Sequence, residues 1–294
     1  MLWAILASAG AVLDAGYYAL AKRFLEPLPD EVLASAAFLA NAVLLLCISL
    51  IRGIPEVSPS LIQPVLVTGT LNIIAAALVF FTLRRTDLSL AVPIITFTLV
   101  FLAGTSYLVL GEVPTTAGAA GILLIIAGAF CIQVSPGRPG PSHLWDRPRW
   151  KGIATMLGVA FLYSLSLPFD KAVVLASDTV FGSALVNLLI GGVFGLVALA
   201  RGSWKRVLPG TAVTAGLALG LMLVGETIAI NTAYTLQIVP YVIAVKRLSI
   251  LFSVLIGGFV FREGGILYRV IGALVMIAGV ALIVLTTATG PILS

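Results

Sequence analysis

Long apolar segments alternate with short polar ones along the chain. The apolar segments are 19 to 24 residues long, and because an α-helix rises about 1.5 Å per residue, about 20 residues cross the ~30 Å hydrocarbon core of a bilayer. The pattern predicts ten transmembrane helices, over residues 2–22, 31–51, 62–83, 88–110, 116–134, 151–170, 179–200, 211–234, 238–261 and 266–287.

The connections between these segments are short and contain residues that end helices. Glycine or proline stands in several of them, as in residues 26–29, 52–55 and 113–114. The longest connection, residues 135–150, holds four prolines and the only histidine, His143. We interpret it as a polar, semi-rigid linker between two halves, residues 1–134 and 151–294.

The two halves repeat each other in sequence. A shift of 151 residues places the segment 121–128 on 272–279, with glycine at both ends of each, and places Glu112 on Glu263. A shift of 149 aligns Lys22 with Lys171 more weakly. Because each half has five helices, an odd number, the second half starts from the opposite side of the membrane. The sequence therefore predicts an inverted repeat, an architecture typical of alternating access.

Composition agrees with a membrane protein and excludes several kinds of chemistry. Only 10% of the residues are charged and 60% are apolar, whereas soluble domains have roughly 25% charged residues. The net charge of +5 comes from scattered basic residues, which favours membrane loops over nucleic-acid binding. Cys47 and Cys131 lie in apolar segments, and neither a phosphate-binding loop nor a zinc-binding motif is present. We therefore expect no cofactor, no metal site and no ATP-driven pumping.

Four ionisable residues lie deep within the predicted helices. Asp14, Glu226 and Lys246 are each eight to eleven residues from the same membrane face, at roughly 12 to 16 Å depth. Charges at that depth are costly and usually face an internal cavity. Together with Arg247 they sum to zero formal charge, and a tight turn joins the helices of Glu226 and Lys246, so that pair is the expected ion pair.

Other polar and aromatic side chains fall in or near the same layer. They complete a predicted substrate-binding set: Tyr17, Asn41, Asn72, Thr96, Tyr163 and Asn187. A proline inside an apolar segment removes a helical hydrogen bond and lets the helix bend, so Pro93 and Pro168 are candidate hinges.

The paired glycines and glutamates resemble those of a known transporter family. Glu112 and Glu263 each precede the last helix of a half, where we expect them to cap a helix N-terminus. Residues 83–93 are similar to the passage from the third to the fourth helix of EamA-type proteins in the drug/metabolite transporter superfamily, and residues 245–257 are similar to the ninth-helix pattern of these proteins. The resemblance covers nearly the whole chain. It implies two five-helix EamA repeats, 1–134 and 151–294, around a central cavity, with the fourth helix and its Pro93 at the cavity.

The resemblance implies transport without naming a cargo. We expect a secondary transporter that exports small metabolites, with amino acids, including aromatic ones, as the leading class. One alternative is proton-coupled efflux of drugs or cations. Another is a non-transport membrane protein, such as a lipid scramblase or an embedded enzyme using Asp170 and Lys171. The expected setting is a bacterial cytoplasmic membrane, with a small-molecule substrate, surrounding lipid and a monomeric state.

Overall fold

The computed structural model describes residues 1–85, 94–133, 147–252 and 266–289. Two 3₁₀ helices, Pro59–Leu61 and Ser203–Arg206, lie in the connections. The described residues form ten α-helices: α1 (Leu2–Phe24), α2 (Asp30–Arg52), α3 (Ile62–Arg85), α4 (Thr98–Leu110), α5 (Thr116–Gln133), α6 (Arg147–Ala176), α7 (Phe181–Ala200), α8 (Pro209–Leu236), α9 (Val239–Lys246) and α10 (Ile266–Thr289).

Local sequence signals set several helix ends. α8 starts with Pro209, whose missing N–H is not needed in a first turn. α7 is preceded by Asp178, whose Oδ1 accepts hydrogen bonds from the backbone N–H groups of Val180 at 3.1 Å and Phe181 at 2.5 Å. α4 ends at Gly111, which has a left-handed φ of 70°. These signals match the turn positions predicted from the sequence.

Seven helices in the described ranges are long and apolar enough to cross a membrane, and Thr98–Leu110 and Thr116–Ile132 are shorter apolar helices. The prediction of an all-α membrane protein is confirmed. α6 continues to Ala176, six residues beyond its predicted end. The charges of Asp170 and Lys171 favour a water-facing helix end in the sequence, but both residues bind partners inside the protein. Pro93, Glu263 and most of the predicted linker lie outside the described residues.

The two halves meet in an antiparallel helix pair that is symmetric residue by residue. A Cβ atom added to Gly128 on α5 would lie 2.6 Å from the carbonyl oxygen of Gly272 on α10, and one added to Gly272 would lie 2.6 Å from that of Gly128. Gly121 and Gly279 make the equivalent contact. A shift of 151 residues turns one glycine pair into the other, so the contact is unchanged when the halves are exchanged. This confirms the inverted repeat and the packing role of the glycines.

Helix ends gather at two membrane faces. The face that we call the Glu112 face carries the connections 52–62, 110–116, 176–181 and 236–239; there, the N–H of Ser58 donates to the carbonyl oxygen of Ala176 at 2.9 Å. The opposite face, the Glu31 face, carries 24–30 and 200–209, where Ser203 Oγ donates to Glu31 Oε1 at 2.6 Å.

Two helices are interrupted at equivalent positions. Helical residues 94–95 and 98–110 are separated by a turn at Thr96–Phe97, and α9 and residues 249–252 are separated by one at Arg247–Leu248. Around both turns the backbone makes i→i−3 hydrogen bonds, from Phe97 N to Ile94 O and from Leu248 N to Val245 O. The shift of 151 residues superposes the two interruptions, and broken helices of this kind mark the binding site in many inverted-repeat transporters.

Candidate substrate-binding site

A cavity of about 210 Å³ lies between the helices. α1, α2, α3, α6, α7, α8 and α9 contribute to its wall, so both halves of the chain build it. Nine of the ten predicted substrate-binding residues line it: Asp14, Tyr17, Asn41, Asn72, Tyr163, Asn187, Glu226, Lys246 and Arg247. The polar side chains that were predicted to share one layer of the membrane therefore line a single cavity in the structure.

Three charged side chains form a cluster in the wall of this cavity. Lys246 Nζ forms an ion pair with Glu226 Oε1 and lies 3.6 Å from Asp14 Oδ1. The predicted pairing of Glu226 with Lys246 is thus present. Asp14 is the looser partner, since 3.6 Å exceeds a normal hydrogen-bond distance.

Arg247 lines the cavity at the interruption after α9. Its side chain is 8% exposed, and its Nε atom is buried without a hydrogen-bond acceptor. No carboxylate of the described residues forms an ion pair with it. A buried guanidinium N–H that lacks a protein partner is costly. Because the Arg247 residue lines the cavity, its guanidinium group is a candidate for binding an anionic ligand group there.

Asp170 lies in the same cavity within a small polar cluster. The Thr68 hydroxyl donates to Asp170 Oδ1, and Thr68 Oγ1 is 2.6 Å from Ser166 Oγ. Asn72 Nδ2 is 2.7 Å from Ser166 Oγ and 3.0 Å from the Thr68 carbonyl oxygen. No described cation forms an ion pair with Asp170.

Sequence reasoning did not place several other cavity residues in the site. Besides Asp170, these are Tyr18, Phe38, Phe80, Ser183, Thr227 and Asn231. Asn231 Nδ2 donates to Ser183 Oγ at 2.5 Å, and Asn187 Nδ2 donates to the carbonyl oxygen of Ser183 at 2.8 Å. Asn231 could have been proposed for the site, because it is a polar residue within an apolar segment. The sequence does not show in which direction each side chain points.

Thr96 is the one predicted substrate-binding residue that is not in the cavity wall. It is fully buried at the interruption before α4, and its hydroxyl oxygen has no hydrogen-bond partner. The prediction for Thr96 rests on its place next to Pro93 in a helix expected at the cavity, and the choice of helix does not determine the rotation of a residue about the helix axis.

Pro168 lies inside α6, two residues before Asp170. A proline cannot donate to the carbonyl four residues earlier, which here belongs to Ser164. That oxygen instead accepts a hydrogen bond of 2.5 Å from Thr105 Oγ1 on α4. The hydroxyl thus restores the bond that the proline removes, as is common in membrane helices.

Glu112 connects the two halves at the Glu112 face. Its Oε1 is 2.6 Å from Lys171 Nζ, and its Oε2 accepts from Ser106 Oγ at 2.7 Å and from the backbone N–H of Val239 at 2.8 Å. The predicted capping role is present, but the capped helix is α9 rather than the adjoining α5. Lys171 Nζ also donates to the carbonyl oxygen of Gln237 at 2.9 Å.

Comparison with known proteins agrees with this architecture. Residues 1–134 match the model of the EamA-like transporter family. No curated protein matches the sequence. Among 29 matching chains of solved structures, one crystal structure of a protein is 18% identical with a TM-score of 0.77, over 96% of this chain and 98% of that chain. At that identity the likeness shows the fold.

Family and fold lead to the same conclusion. The matched region comprises α1 to α5, and the symmetric contact of α5 with α10 relates it to the second half. Residues 1–134 are similar to the EamA-like transporter family, and the apolar helices of the described residues give the chain the multi-pass membrane fold that this similarity implies.

Proposed function

We propose that this transporter exports small zwitterionic metabolites, with amino acids, aromatic ones among them, as the cargo class, across the bacterial cytoplasmic membrane by alternating access. The observation that carries the proposal is Arg247, which lines the cavity and forms no ion pair with a carboxylate of the described residues. Acids stand in the same cavity, so groups for both ends of a zwitterion are present.

The carboxylate of the cargo would bind Arg247. Guanidinium groups bind carboxylates through charge-assisted hydrogen bonds, and bidentate pairs are the strongest of these. Lys246 is less suited, because Glu226 already forms an ion pair with it. The interruption after α9 places Arg247 at a helix end, the position at which discontinuous helices hold ligands in many transporters with inverted repeats.

The ammonium group of the cargo would bind Asp14. Its carboxylate is 3.6 Å from Lys246 Nζ, so a cargo ammonium can make a closer contact than the lysine does. Asp14 is 6% exposed, and the low dielectric of such a site strengthens an ion pair that forms there.

The size and lining of the cavity favour a small cargo with an apolar portion. A volume of about 210 Å³ is below the 300–1,000 Å³ range typical of pockets for drug-sized ligands. Aromatic rings contribute much of the wall: Tyr17, Tyr18, Phe38, Phe80 and Tyr163. Such rings pack well against an apolar or aromatic side chain.

Counterflow of radiolabelled L-phenylalanine in proteoliposomes tests this proposal. We expect Arg247→Gln to lower the exchange rate about tenfold or more, since a charge-assisted contact contributes about 1.5–3 kcal/mol. Arg201→Gln is the matched control, because the Arg201 side chain is 68% exposed at the Glu31 face. Phenylalanine methyl ester, which lacks the carboxylate, should not compete. Exchange at the wild-type rate by folded Arg247→Gln protein would contradict the proposal.

A second candidate is efflux of cationic drugs. Three carboxylates, on Asp14, Asp170 and Glu226, line the described part of the cavity, against two cations, Lys246 and Arg247. This excess of negative charge favours a positively charged cargo. Uptake of tetraphenylphosphonium without exchange of phenylalanine would support this candidate over amino-acid export.

A further inference from the structure

A polar chain of four side chains on α3 and α6 ends at the carboxylate of Asp170. Asn72 Nδ2 lies 3.0 Å from the Thr68 carbonyl oxygen, to which it donates, so the orientation of its amide is fixed. The same nitrogen donates to Ser166 Oγ at 2.7 Å. Ser166 Oγ is 2.6 Å from Thr68 Oγ1, and the Thr68 hydroxyl donates to Asp170 Oδ1. The hydrogen bonds thus point from Asn72 toward the carboxylate.

Asp170 differs from the other acids of the cavity in its lack of a cationic partner. Glu226 and Asp14 share Lys246, whereas Lys171, next to Asp170 in the chain, is bound to Glu112. A carboxylate that is partly removed from water and has no cation in ion-pair contact binds a proton at low cost.

The charged and titratable surroundings of Asp170 are sparse. The described side chains of α3 and α7 include no titratable group, and Tyr107 on α4 is exposed. Lys246 and Tyr234 interact with Asp170 electrostatically. The titratable groups on the remaining helices packed against α6 are Glu226 and Tyr234 on α8 and Tyr241, Lys246 and Arg247 on α9 or at its end.

We infer that Asp170 is the proton-binding site that couples transport to the proton gradient, with Thr68, Ser166 and Asn72 as its positioning residues. This inference rests on the proposed function. In the ionised state Asp170 accepts from Thr68. After it takes a proton from water in the cavity, the proton resides on the second carboxyl oxygen, Oδ2, while Oδ1 continues to accept from Thr68, so no heavy atom has to move. A sodium ion fits this cluster poorly, because the fixed N–H of Asn72 points into it.

Protonation of Asp170 changes the charge that the cargo meets. With Asp170 ionised, three carboxylates face two cations; with Asp170 protonated, two face two. A cargo whose ammonium group lies nearer to Asp170 than its carboxylate does therefore binds more weakly to the protonated cavity. Proton and cargo would compete, which is the condition for exchanging one for the other.

The site belongs to one half of the protein. A shift of 149 residues pairs Lys171 with Lys22, and the same shift pairs Asp170 with Ala21 and Ser166 with Tyr17. The symmetric position in the first half therefore lacks the carboxylate. An inverted repeat has two similar faces, and a proton site present in only one half distinguishes them.

Carbodiimide labelling tests the site without any cargo. Dicyclohexylcarbodiimide reacts with protonated carboxyl groups in apolar surroundings, and peptide mass spectrometry locates the adduct. We expect labelling at Asp170 in the reconstituted wild-type protein that declines as the pH rises and is unaffected by sodium. Ser166→Ala and Thr68→Val should shift this pH profile, whereas Asp178→Asn, which changes an acid in the α6–α7 turn, should not. Absence of labelling at Asp170, or protection by sodium, would overturn the inference.

Transport separates this inference from the proposed function. Phenylalanine counterflow by the wild type should vary with pH by up to about tenfold per pH unit, the limit for one titrating group. Asp170→Asn should vary less than about twofold over the same range. A wild-type pH profile that Asp170→Asn retains would contradict the inference and leave amino-acid transport standing. Failure of the wild type to exchange phenylalanine would contradict the cargo class, and the labelling result would still decide the role of Asp170.

Discussion

Lys171 Nζ lies 2.6 Å from Glu112 Oε1, and this pair joins the second half of the protein to the first at one membrane face. Glu112 also binds the N-terminus of α9, and Lys171 binds the end of α8. Four helices are therefore tied together next to the cavity. A conformation that opened the Glu112 face would have to break these contacts. The strength of the Lys171–Glu112 pair would then affect the free-energy difference between the closed and the open conformation.

Glu112→Gln should destabilise the protein by about 3 kcal/mol, because it leaves Lys171 buried without a counter-charge. The side chains of Lys171 and Glu112 are only 13% and 10% exposed, so water cannot compensate for the loss. Unfolding by sodium dodecyl sulfate in mixed micelles measures the change in free energy. Glu26→Gln removes an exposed acid and should have an effect below about 0.5 kcal/mol. Equal stability of both variants would argue against the pair as a structural tie.

Thr105→Val should cost about 1–3 kcal/mol, since it leaves the Ser164 carbonyl without a donor in apolar surroundings. Pro168→Ala supplies the missing backbone N–H, so adding it to Thr105→Val should recover most of the loss. The four proteins form a double-mutant cycle with an expected coupling of about 1 kcal/mol or more, read from thermal unfolding in detergent. Strictly additive effects would show that the hydroxyl does not replace the bond removed by Pro168.

Lys246→Met should abolish counterflow and lower stability, because Asp14 and Glu226 then lose their shared cation. Adding Glu226→Gln removes one of the two stranded charges and should restore stability without restoring transport. Size-exclusion profiles and thermal unfolding report folding, and exchange of labelled phenylalanine reports function. Normal counterflow by the folded Lys246→Met or Glu226→Gln single variant would remove both residues from the candidate site.

The helices and the depth of the polar layer followed from the sequence because each depends on spacing along one segment. Apolar length gives the span, and the 1.5 Å rise gives the depth of Asp14 or Glu226. The partner of Glu112 did not follow, because α9 approaches it from the other half of the chain. Lys171 was likewise identified only as a polar residue at a predicted helix end.

Rotation about the helix axis explains the remaining differences. Thr96 and Asn72 both lie within predicted helices, yet Thr96 is fully buried outside the cavity and Asn72 lines it. Asp170 is not among the predicted site residues because the predicted sixth helix ends at residue 170. In the structure α6 continues for six more residues, so Asp170 lies within the helix. For a polar residue near a predicted helix end, the sequence therefore does not decide whether the residue belongs to a loop or to the binding site.

Gly128→Leu should prevent α5 and α10 from packing, because even a Cβ atom there would lie 2.6 Å from the Gly272 carbonyl oxygen and 2.8 Å from the Met276 backbone nitrogen. Backbone atoms cannot move aside as a side-chain tip can, so we expect a loss of at least about 3 kcal/mol, at the upper end for overpacking. Gly104→Leu on α4 is the matched control, since nothing lies within 4 Å of its added Cβ, and it should leave stability unchanged or slightly raised by its better helix propensity. Mixed-micelle unfolding of both variants compares them directly. If Gly128→Leu were as stable as Gly104→Leu, the symmetric glycine contact would not hold the two repeats together.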